Sequence, residues 1–130
     1  MIKGFCLGRF DLLHPGHLDL FQLAKNNCDY LIVGVIDKPF SGFKLKKSIF
    51  NIRERVQIVE SIKYIDQVIT FLSQQQVEQF LEENKLDKFF TGEEYIDNQP
   101  LSRFFEEGNI FYVKMAGFSS SKLKRKLVIC

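Results

Sequence analysis

The chain alternates short apolar runs with amphipathic stretches, and this alternation restricts its possible folds more than any other feature. The apolar runs predict five strands, at residues 2–8, 30–36, 68–71, 88–91 and 109–113. The amphipathic stretches predict helices at residues 17–26, 51–61, 75–84, 98–107 and 119–127. Strands that alternate with helices in this way predict a parallel sheet with right-handed crossovers.

The predicted fold is therefore α/β, a Rossmann-like doubly wound parallel five-stranded sheet with helices on both faces. A length of 130 residues supports one hydrophobic core, so we expect a single domain over residues 1–130. Such sheets bind ligands beyond the carboxyl ends of their strands, where the strand order reverses. The loops after Gly8, Ile36, Thr91 and Val113 are therefore the candidate positions for a functional site.

The net charge of +2 conceals a concentration of basic residues in two stretches, residues 38–55 and 114–126. Each stretch by itself is compatible with a solvated surface. If the fold brings the two together, they would form a cationic site for a polyanionic ligand.

Other features exclude whole classes of protein. No apolar run approaches the roughly 20 residues that cross a bilayer, and the first residues do not resemble a signal peptide, so we expect no membrane partner. Cys6, Cys28 and Cys130 have no C-x-x-C spacing and are interpreted as unpaired thiols in a reducing cytosol. These features favour a cytoplasmic protein.

The loop after the first predicted strand contains the only two histidines of the chain, His14 and His17. They enclose Pro15 and Gly16 and lead into the first predicted helix. Backbone N–H groups at a helix N-terminus attract anions, and two imidazoles there can donate hydrogen bonds to a transferring phosphoryl group. The alternatives for such a pair are a packed turn or an incidental metal site. Further ligands at metal-site spacing are lacking, so we predict no metal site built by the protein.

This loop, GRFDLLHPGH, resembles the His-x-Gly-His signature of the nucleotidyltransferase superfamily of cytidylyltransferases and adenylyltransferases. Within it the chain most resembles the small bacterial glycerol-3-phosphate cytidylyltransferases, over essentially its whole length. The other matching segments are LAKNNCDYLIVGVI, FKLKK, RERVQIVESIKYIDQV, FFTGEEY and GFSSSKL. The resemblance implies an enzyme that joins CTP to a phosphorylated alcohol, such as glycerol 3-phosphate, with Mg²⁺ bound alongside the nucleotide. It also implies a homodimer built partly by residues 63–68, and no nucleic-acid partner.

The resemblance assigns roles to individual residues. His14 and His17 would contact the CTP phosphates and stabilise the transition state at the α-phosphorus. Lys44, Lys46 and Arg55 would complete the catalytic set, the two lysines by holding the triphosphate and the acceptor phosphate. The nucleotide-binding residues would be Gly8, Arg9, Phe10, Asp11, Gly16, Gly92, Glu93, Glu94, Lys114, Ser119, Ser120 and Ser121.

Three positions depart from the family pattern. Arg9 stands in place of a threonine beside the phosphates, Lys114 replaces an arginine, and Gly92-Glu93-Glu94-Tyr95 replaces Gly-Asp-Asp-Trp. Lysine is not equivalent to arginine where phosphate is bound by two parallel hydrogen bonds. One hypothesis is that Arg9 supplies the guanidinium that position 114 lacks, and the alternative is that Arg9 points to solvent.

The implied reaction needs no general base, because an acceptor phosphate has a second pKa near 6 and is ionised at neutral pH. Positioning and charge neutralisation would supply the catalysis, and Asp11 is interpreted as fixing its loop. Two other functions are also considered. One is an adenylyltransferase using ATP with FMN, a sugar phosphate or another phosphorylated acceptor, and the other is a degenerate family member that binds nucleotide without turnover.

Overall fold

The computed structural model of the chain describes residues 1–37, 48–93, 96–97 and 99–114. In these ranges, the strands are β1 (Lys3–Gly8), β2 (Tyr30–Ile36), β3 (Gln67–Phe71), β4 (Lys88–Gly92) and β5 (Ile110–Val113). The α-helices there are α1 (Pro15–Asn26), α2 (Ile52–Glu60) and α3 (Gln74–Glu83). A short 3-10 helix, Ser102–Phe104, lies between β4 and β5.

The five strands form one parallel sheet in the order β3-β2-β1-β4-β5. From the central β1, the chain builds outward through β2 and β3, and then returns to the other side of β1 for β4 and β5. The strand order therefore reverses between β1 and β4, and this is the switch point where such sheets bind ligands. The predicted Rossmann-like doubly wound sheet is confirmed.

Both faces of the sheet are covered, as its nearly continuous apolar strands predict. On one face, α1 and α2 pack against the sheet through a cluster that includes Phe21, Val33 and Val59. On the other face, α3 packs through Val77 onto a second cluster that includes Phe5. The central strand, which leads into the loop with the two histidines, is thereby packed on both faces.

Helix α2 begins with a reciprocal hydrogen-bonded cap. The Asn51 side chain accepts a hydrogen bond from the Glu54 N–H at 2.9 Å, and the Glu54 carboxylate accepts one from the Asn51 N–H at 3.0 Å. Such a capping box satisfies two of the N–H groups that a helix start leaves without partners. It fixes the first turn of α2 and thereby the position of Arg55.

The structure corrects two predicted helices. The helix predicted at residues 98–107 is only the 3-10 helix Ser102–Phe104, because the chain turns once between the buried side chains of Leu101 and Phe105. Helix α1 begins at Pro15 rather than at residue 17, because His14 caps it. The helix predicted at residues 119–127 lies outside the described residues.

Within the described ranges, none of the helices has the length and apolar character needed to cross a membrane.

The two described cysteines have raised thiol pKa values. Cys6 is fully buried, and burial raises the pKa of its thiol. Burial also raises the pKa of Cys28. A raised thiol pKa leaves little thiolate at neutral pH, so neither residue is an activated nucleophile, and Cys130 lies outside the described residues.

Candidate active site

The connection from β1 to α1 places both histidines at the switch point of the sheet. His14 is the N-cap residue of α1, and Pro15 occupies the start of the helix, where its missing N–H costs no helical hydrogen bond. Gly16 is buried in the same turn. The motif therefore surrounds a helix N-terminus, whose dipole and N–H groups favour anions.

The two histidines cap α1 reciprocally. His14 Nδ1 accepts a hydrogen bond from the His17 N–H at 3.4 Å, and His17 Nδ1 accepts one from the His14 N–H at 3.3 Å. The rings stack with their centroids 3.8 Å apart. Because an accepting ring nitrogen carries no proton, each neutral imidazole is held as the tautomer with its proton on Nε2.

The environment keeps both imidazoles neutral. Burial lowers the pKa of His14, and burial together with the adjacent His14 lowers the pKa of His17 to about 3. At neutral pH each ring is therefore an Nε2–H donor whose orientation is fixed by its Nδ1 contact. Preorganised donors of this kind stabilise charge that develops on a phosphoryl oxygen.

Phe10 supports the ring of His17 from a strained backbone conformation. Its φ of +51° lies in the left-handed region, where a bulky residue is an outlier. The buried Phe10 ring meets the His17 ring edge-on at a centroid distance of 5.4 Å and also packs against Phe21. A Cβ at Gly8 would lie 2.8 Å from the Phe10 ring. Glycine is therefore needed at position 8 because Phe10 fills the space of a side chain there.

Asp11 joins this loop to the segment that precedes α2. Its buried carboxylate accepts hydrogen bonds from the Ile49 N–H and the Phe50 N–H, both at 3.0 Å. Hydrogen bonds to an ionised carboxylate are stronger than neutral ones. The geometry gives Asp11 a structural role at the junction of the two segments.

Arg55 is buried, and its guanidinium joins the ends of three segments. Nη1 donates to the Arg9 carbonyl at 3.0 Å and to the Ile36 carbonyl at 2.9 Å, and Nε donates to the Phe50 carbonyl at 3.2 Å. Nη2 donates to the carbonyl and to the carboxylate of Asp37, both at 3.3 Å. These bonds occupy all the N–H donors of a guanidinium. These contacts favour a positioning role for Arg55, and the catalytic role assigned to it from the sequence stays a prediction.

Arg9 and Lys114, the two departures for which compensation is one hypothesis from the sequence, lie in different parts of the fold. Arg9 is half-buried and donates from Nη2 to the Ser48 hydroxyl, so it does not merely point to solvent. Lys114 is exposed and directly follows β5, which β4 separates from β1. The contact of Arg9 with Ser48 is on the side of α2, away from β5.

The remaining predicted residues divide into two groups. Gly92 is buried at the end of β4, and Glu93 follows it exposed, so both are at the carboxyl edge of the sheet next to the β1 loop. The predicted residues outside the described ranges are Lys44, Lys46, Glu94, Tyr95, Ser119, Ser120 and Ser121.

Two residues of the site, Asp37 and Ser48, are not singled out by the sequence. Asp37 directly follows β2, and a carboxylate just beyond the carboxyl end of a strand is a signal that could have marked it. Ser48 has no comparable signal. Its role depends on Arg9, which is far from it in the sequence.

The described residues do not build a cage for a metal ion. Among them, no group of three His, Cys, Asp or Glu side chains is arranged to hold one. Asp11, which is close to the histidines in the sequence, directs its oxygens to main-chain N–H groups. A Mg²⁺ ion held chiefly by nucleotide phosphates and water, a common mode of magnesium binding, needs no such cage.

Paired hydrogen-bond donors at a helix N-terminus, set at the switch point of a parallel sheet, define the class of Rossmann-like nucleotide-binding proteins. The model of the family described as cytidylyltransferase-like matches residues 5–126. The chain therefore belongs to the cytidylyltransferase-like family.

Similar proteins of known activity match nearly the whole chain. It is 33% identical over 121 residues to the glycerol-3-phosphate cytidylyltransferase of Staphylococcus aureus (strain NCTC 8325 / PS 47), covering 92% of this chain and 90% of that protein. It is 30% identical over 128 residues to the enzyme of the same name from Bacillus subtilis (strain 168), covering 98% of each. The family and these relatives place the chain among the nucleotidyltransferase enzymes.

A solved structure has the same fold. The lipopolysaccharide core biosynthesis protein from Thermoplasma volcanium GSS1 matches with a TM-score of 0.64 and 22% identity. The match covers 99% of this chain and 88% of that one.

Proposed function

We propose that the chain transfers the cytidylyl group of CTP to a phosphorylated alcohol, with glycerol 3-phosphate or a related polyol phosphate as the acceptor. The reciprocal histidine cap carries the proposal, because it fixes two Nε2–H donors beside a helix end that attracts anions. The choice of nucleotide and acceptor is supported by the named activity of relatives that match nearly the full chain.

In the proposed reaction, an oxygen of the acceptor phosphate attacks the α-phosphorus of CTP in line. The new P–O bond forms as the bond to the bridging oxygen breaks, and pyrophosphate leaves with that electron pair. The acceptor is ionised at neutral pH, so no side chain has to remove a proton. His14 and His17 would donate from Nε2 to phosphate oxygens as negative charge develops on them. Mg²⁺ bound with the triphosphate would neutralise part of its charge.

The remaining predicted contacts belong to the same proposal. Lys44 and Lys46 would hold the triphosphate and the acceptor phosphate, and Lys114 would add a further positive charge. Glu93 and Glu94 would lie beside the nucleotide or the acceptor. The hydroxyl groups that would receive phosphate are those of Ser119, Ser120 and Ser121.

We also propose a cytoplasmic homodimer with an interface that includes residues 63–68. Light scattering should then give a mass near twice the 15.2 kDa of one chain. A monomeric mass at all concentrations of the assay would contradict the dimer without affecting the proposed reaction.

The reaction is tested by pyrophosphate release from CTP or ATP, each combined with glycerol 3-phosphate, a second polyol phosphate, FMN and a sugar phosphate. We expect release with CTP and a polyol phosphate. Release with ATP alone would replace the proposal by an adenylyltransferase. No release from any pair would indicate a family member that binds nucleotide without turnover.

The site is tested by His14→Asn. Asparagine is among the best N-cap residues and can accept the His17 N–H, but it lacks the Nε2–H of histidine. Turnover should fall by about 10²–10³-fold, the usual loss for one preorganised donor, while the free energy of unfolding stays equal or rises. His14→Ala, which also removes the cap, should lose both turnover and stability. Normal turnover by folded His14→Asn would show that the site is wrong.

A further inference from the structure

The loop after β1 and the segment before α2 meet along several hydrogen bonds, and we call residues 9–11 and 48–50 together the seam. Asp11 accepts the main-chain N–H groups of Ile49 and Phe50. The Arg9 side chain donates to the Ser48 hydroxyl. The guanidinium of Arg55 holds the carbonyls of Arg9 and Phe50 on the two sides of the seam. Side chains from both segments and from α2 therefore lock the same junction.

We propose that Arg9 is a positioning residue that acts through Ser48, and that it does not replace the guanidinium missing at position 114. Two observations carry this assignment. The guanidinium of Arg9 contacts Ser48 beside the start of α2. Lys114 follows β5, which is separated from β1 by β4. A side chain directed to the α2 side of β1 is badly placed to serve a phosphate at the end of β5.

The position of Ser48 in the sequence explains why its anchoring matters. Lys44 and Lys46 lie in the sequence between Asp37 and Ser48. Asp37 is held by Arg55, and Ser48 is held by Arg9. Arg55 and the seam thus hold the two described residues that flank Lys44 and Lys46 in the sequence. Threonine, which the resemblance implies at position 9, is too short to make this contact in the same way.

The consequence for the enzyme rests on the proposed function. Loosening the seam should weaken nucleotide binding and leave the chemical step largely intact, because Arg9 acts on the position of a segment and His14 and His17 remain in place. The KM for CTP should therefore rise several-fold in Arg9→Thr, whereas kcat should stay within about twofold. A residue that contacted the reacting phosphate would instead lower kcat.

The test is a pair of double-mutant cycles, one on Arg9 and Ser48 and the other on Arg9 and Lys114, using Arg9→Thr, Ser48→Ala and Lys114→Ala. The first readout needs no substrate: it is the amide hydrogen exchange rate of Ile49 and Phe50 in the folded protein. Loss of one charge-assisted hydrogen bond at the seam should accelerate this exchange about tenfold in Arg9→Thr and in Ser48→Ala. The double variant should exchange no faster than either single variant, and Ser48→Thr, which keeps the hydroxyl, should exchange at the wild-type rate.

Lys114→Ala is the matched control. It should leave the amide exchange rates of Ile49 and Phe50 unchanged. Its effect on the KM for CTP should simply add to the effect of Arg9→Thr. Any of three results would overturn the proposal. The amide exchange could be unchanged in Arg9→Thr, the effects of Arg9→Thr and Ser48→Ala on exchange could add, or the effects of Arg9→Thr and Lys114→Ala on the KM could be coupled. Denaturant unfolding of each variant distinguishes local opening from global destabilisation. If the wild-type protein turned over no nucleotide, the proposed function would fail, and the exchange rates would still decide the role of Arg9.

Discussion

Histidine is an unusual residue at both ends of a capping box, where Ser, Thr, Asp or Asn normally faces Glu or Gln. The same chain contains the ordinary version in α2, where Asn51 and Glu54 cap the helix with hydrogen bonds of 2.9 and 3.0 Å. The histidine cap of α1 has longer bonds of 3.3 and 3.4 Å. Under the proposed function, positions 14 and 17 bind ligand, and a cap weaker than that of α2 is the accompanying cost in stability, a common trade-off at functional sites.

The lowered pKa of His17 makes stability depend on pH. In the unfolded chain the imidazole titrates at about 6.5, and in the folded protein its pKa is about 3. Between these values the unfolded chain binds more protons, so the free energy of unfolding falls as the pH decreases, by at most about 1.4 kcal/mol per pH unit. Urea unfolding between pH 7 and pH 5 should show this loss.

The control for this prediction is His17→Gln. Glutamine preserves the reciprocal cap of α1 because it is a favoured residue at that position of a capping box, and it does not titrate. Its free energy of unfolding should change less between pH 7 and pH 5 than that of the wild type. Equal pH dependence in the two proteins would show that His17 is not held neutral by the fold.

Gly8 offers a test of the contact between the rings of Phe10 and His17. In Gly8→Ala, the new methyl group should push the Phe10 ring away from His17, at a cost of about 1–3 kcal/mol in unfolding free energy. Gly108→Ala is a matched control, because Gly108 has a left-handed φ of +86° but no atom within 4 Å of an added Cβ. It should lose about 1–2 kcal/mol from backbone strain alone. Only Gly8→Ala should reduce turnover and shift the imidazole NMR resonances of His17. If Gly8→Ala and Gly108→Ala had the same effects, Phe10 would not support the ring of His17.

At the scale of the elements, α2 serves as the support of the site. Its capping box sets the first turn, and that turn places Arg55 where it reaches the ends of β1 and β2 and the segment before the helix. A guanidinium suits this task because its planar donors can bind several carbonyls at once, which the ammonium of lysine cannot reproduce. The helix is thus coupled to the histidine loop through the main chain of Arg9.

Arg55→Met should therefore destabilise the fold by about 3–5 kcal/mol, because it leaves buried carbonyls and a carboxylate without their donor. Arg53→Met is the control on the same helix, and since Arg53 is exposed, it should change the free energy of unfolding by no more than about 0.5 kcal/mol. Denaturant unfolding distinguishes the two roles considered for Arg55. A variant with wild-type stability and lost turnover would favour direct substrate contact over positioning.

The elements were predictable from the sequence wherever one local signal dominates. The β-branched run at residues 30–36 coincides with β2, and Asn51 correctly predicts the start of α2. The segment at residues 98–107 was not predictable, because burial of Leu101 and Phe105 decides its path and short helices have little intrinsic stability. In the site, the histidine motif is visible in the sequence. The main-chain carbonyls that accept hydrogen bonds from Arg55 are not visible in the sequence, because backbone carbonyls have no residue-specific signature.

For the whole molecule, the strand order brings distant parts of the chain to one edge of the sheet. The histidine loop and α2 come from the half that contains β1, β2 and β3. In the other half, Gly92 ends β4 and Lys114 follows β5. The sheet itself is shared by proteins of many functions, so differences in substrate must arise in these loops. Arg9, Glu93 and Lys114, three positions at which the sequence departs from the pattern it resembles, all lie in such loops.

The central position of β1 in the sheet also has a consequence for the nascent chain during synthesis on the ribosome. β1 pairs with β2 soon after both have emerged, but its other edge pairs with β4, which is synthesised about 80 residues later. At a translation rate of about 5–20 residues per second, that edge stays open for about 4–16 s in every nascent chain. An open apolar strand edge is a template for pairing between chains. The first strand, which leads into the histidine loop, is therefore also a strand at which two nascent chains can pair before β4 is made.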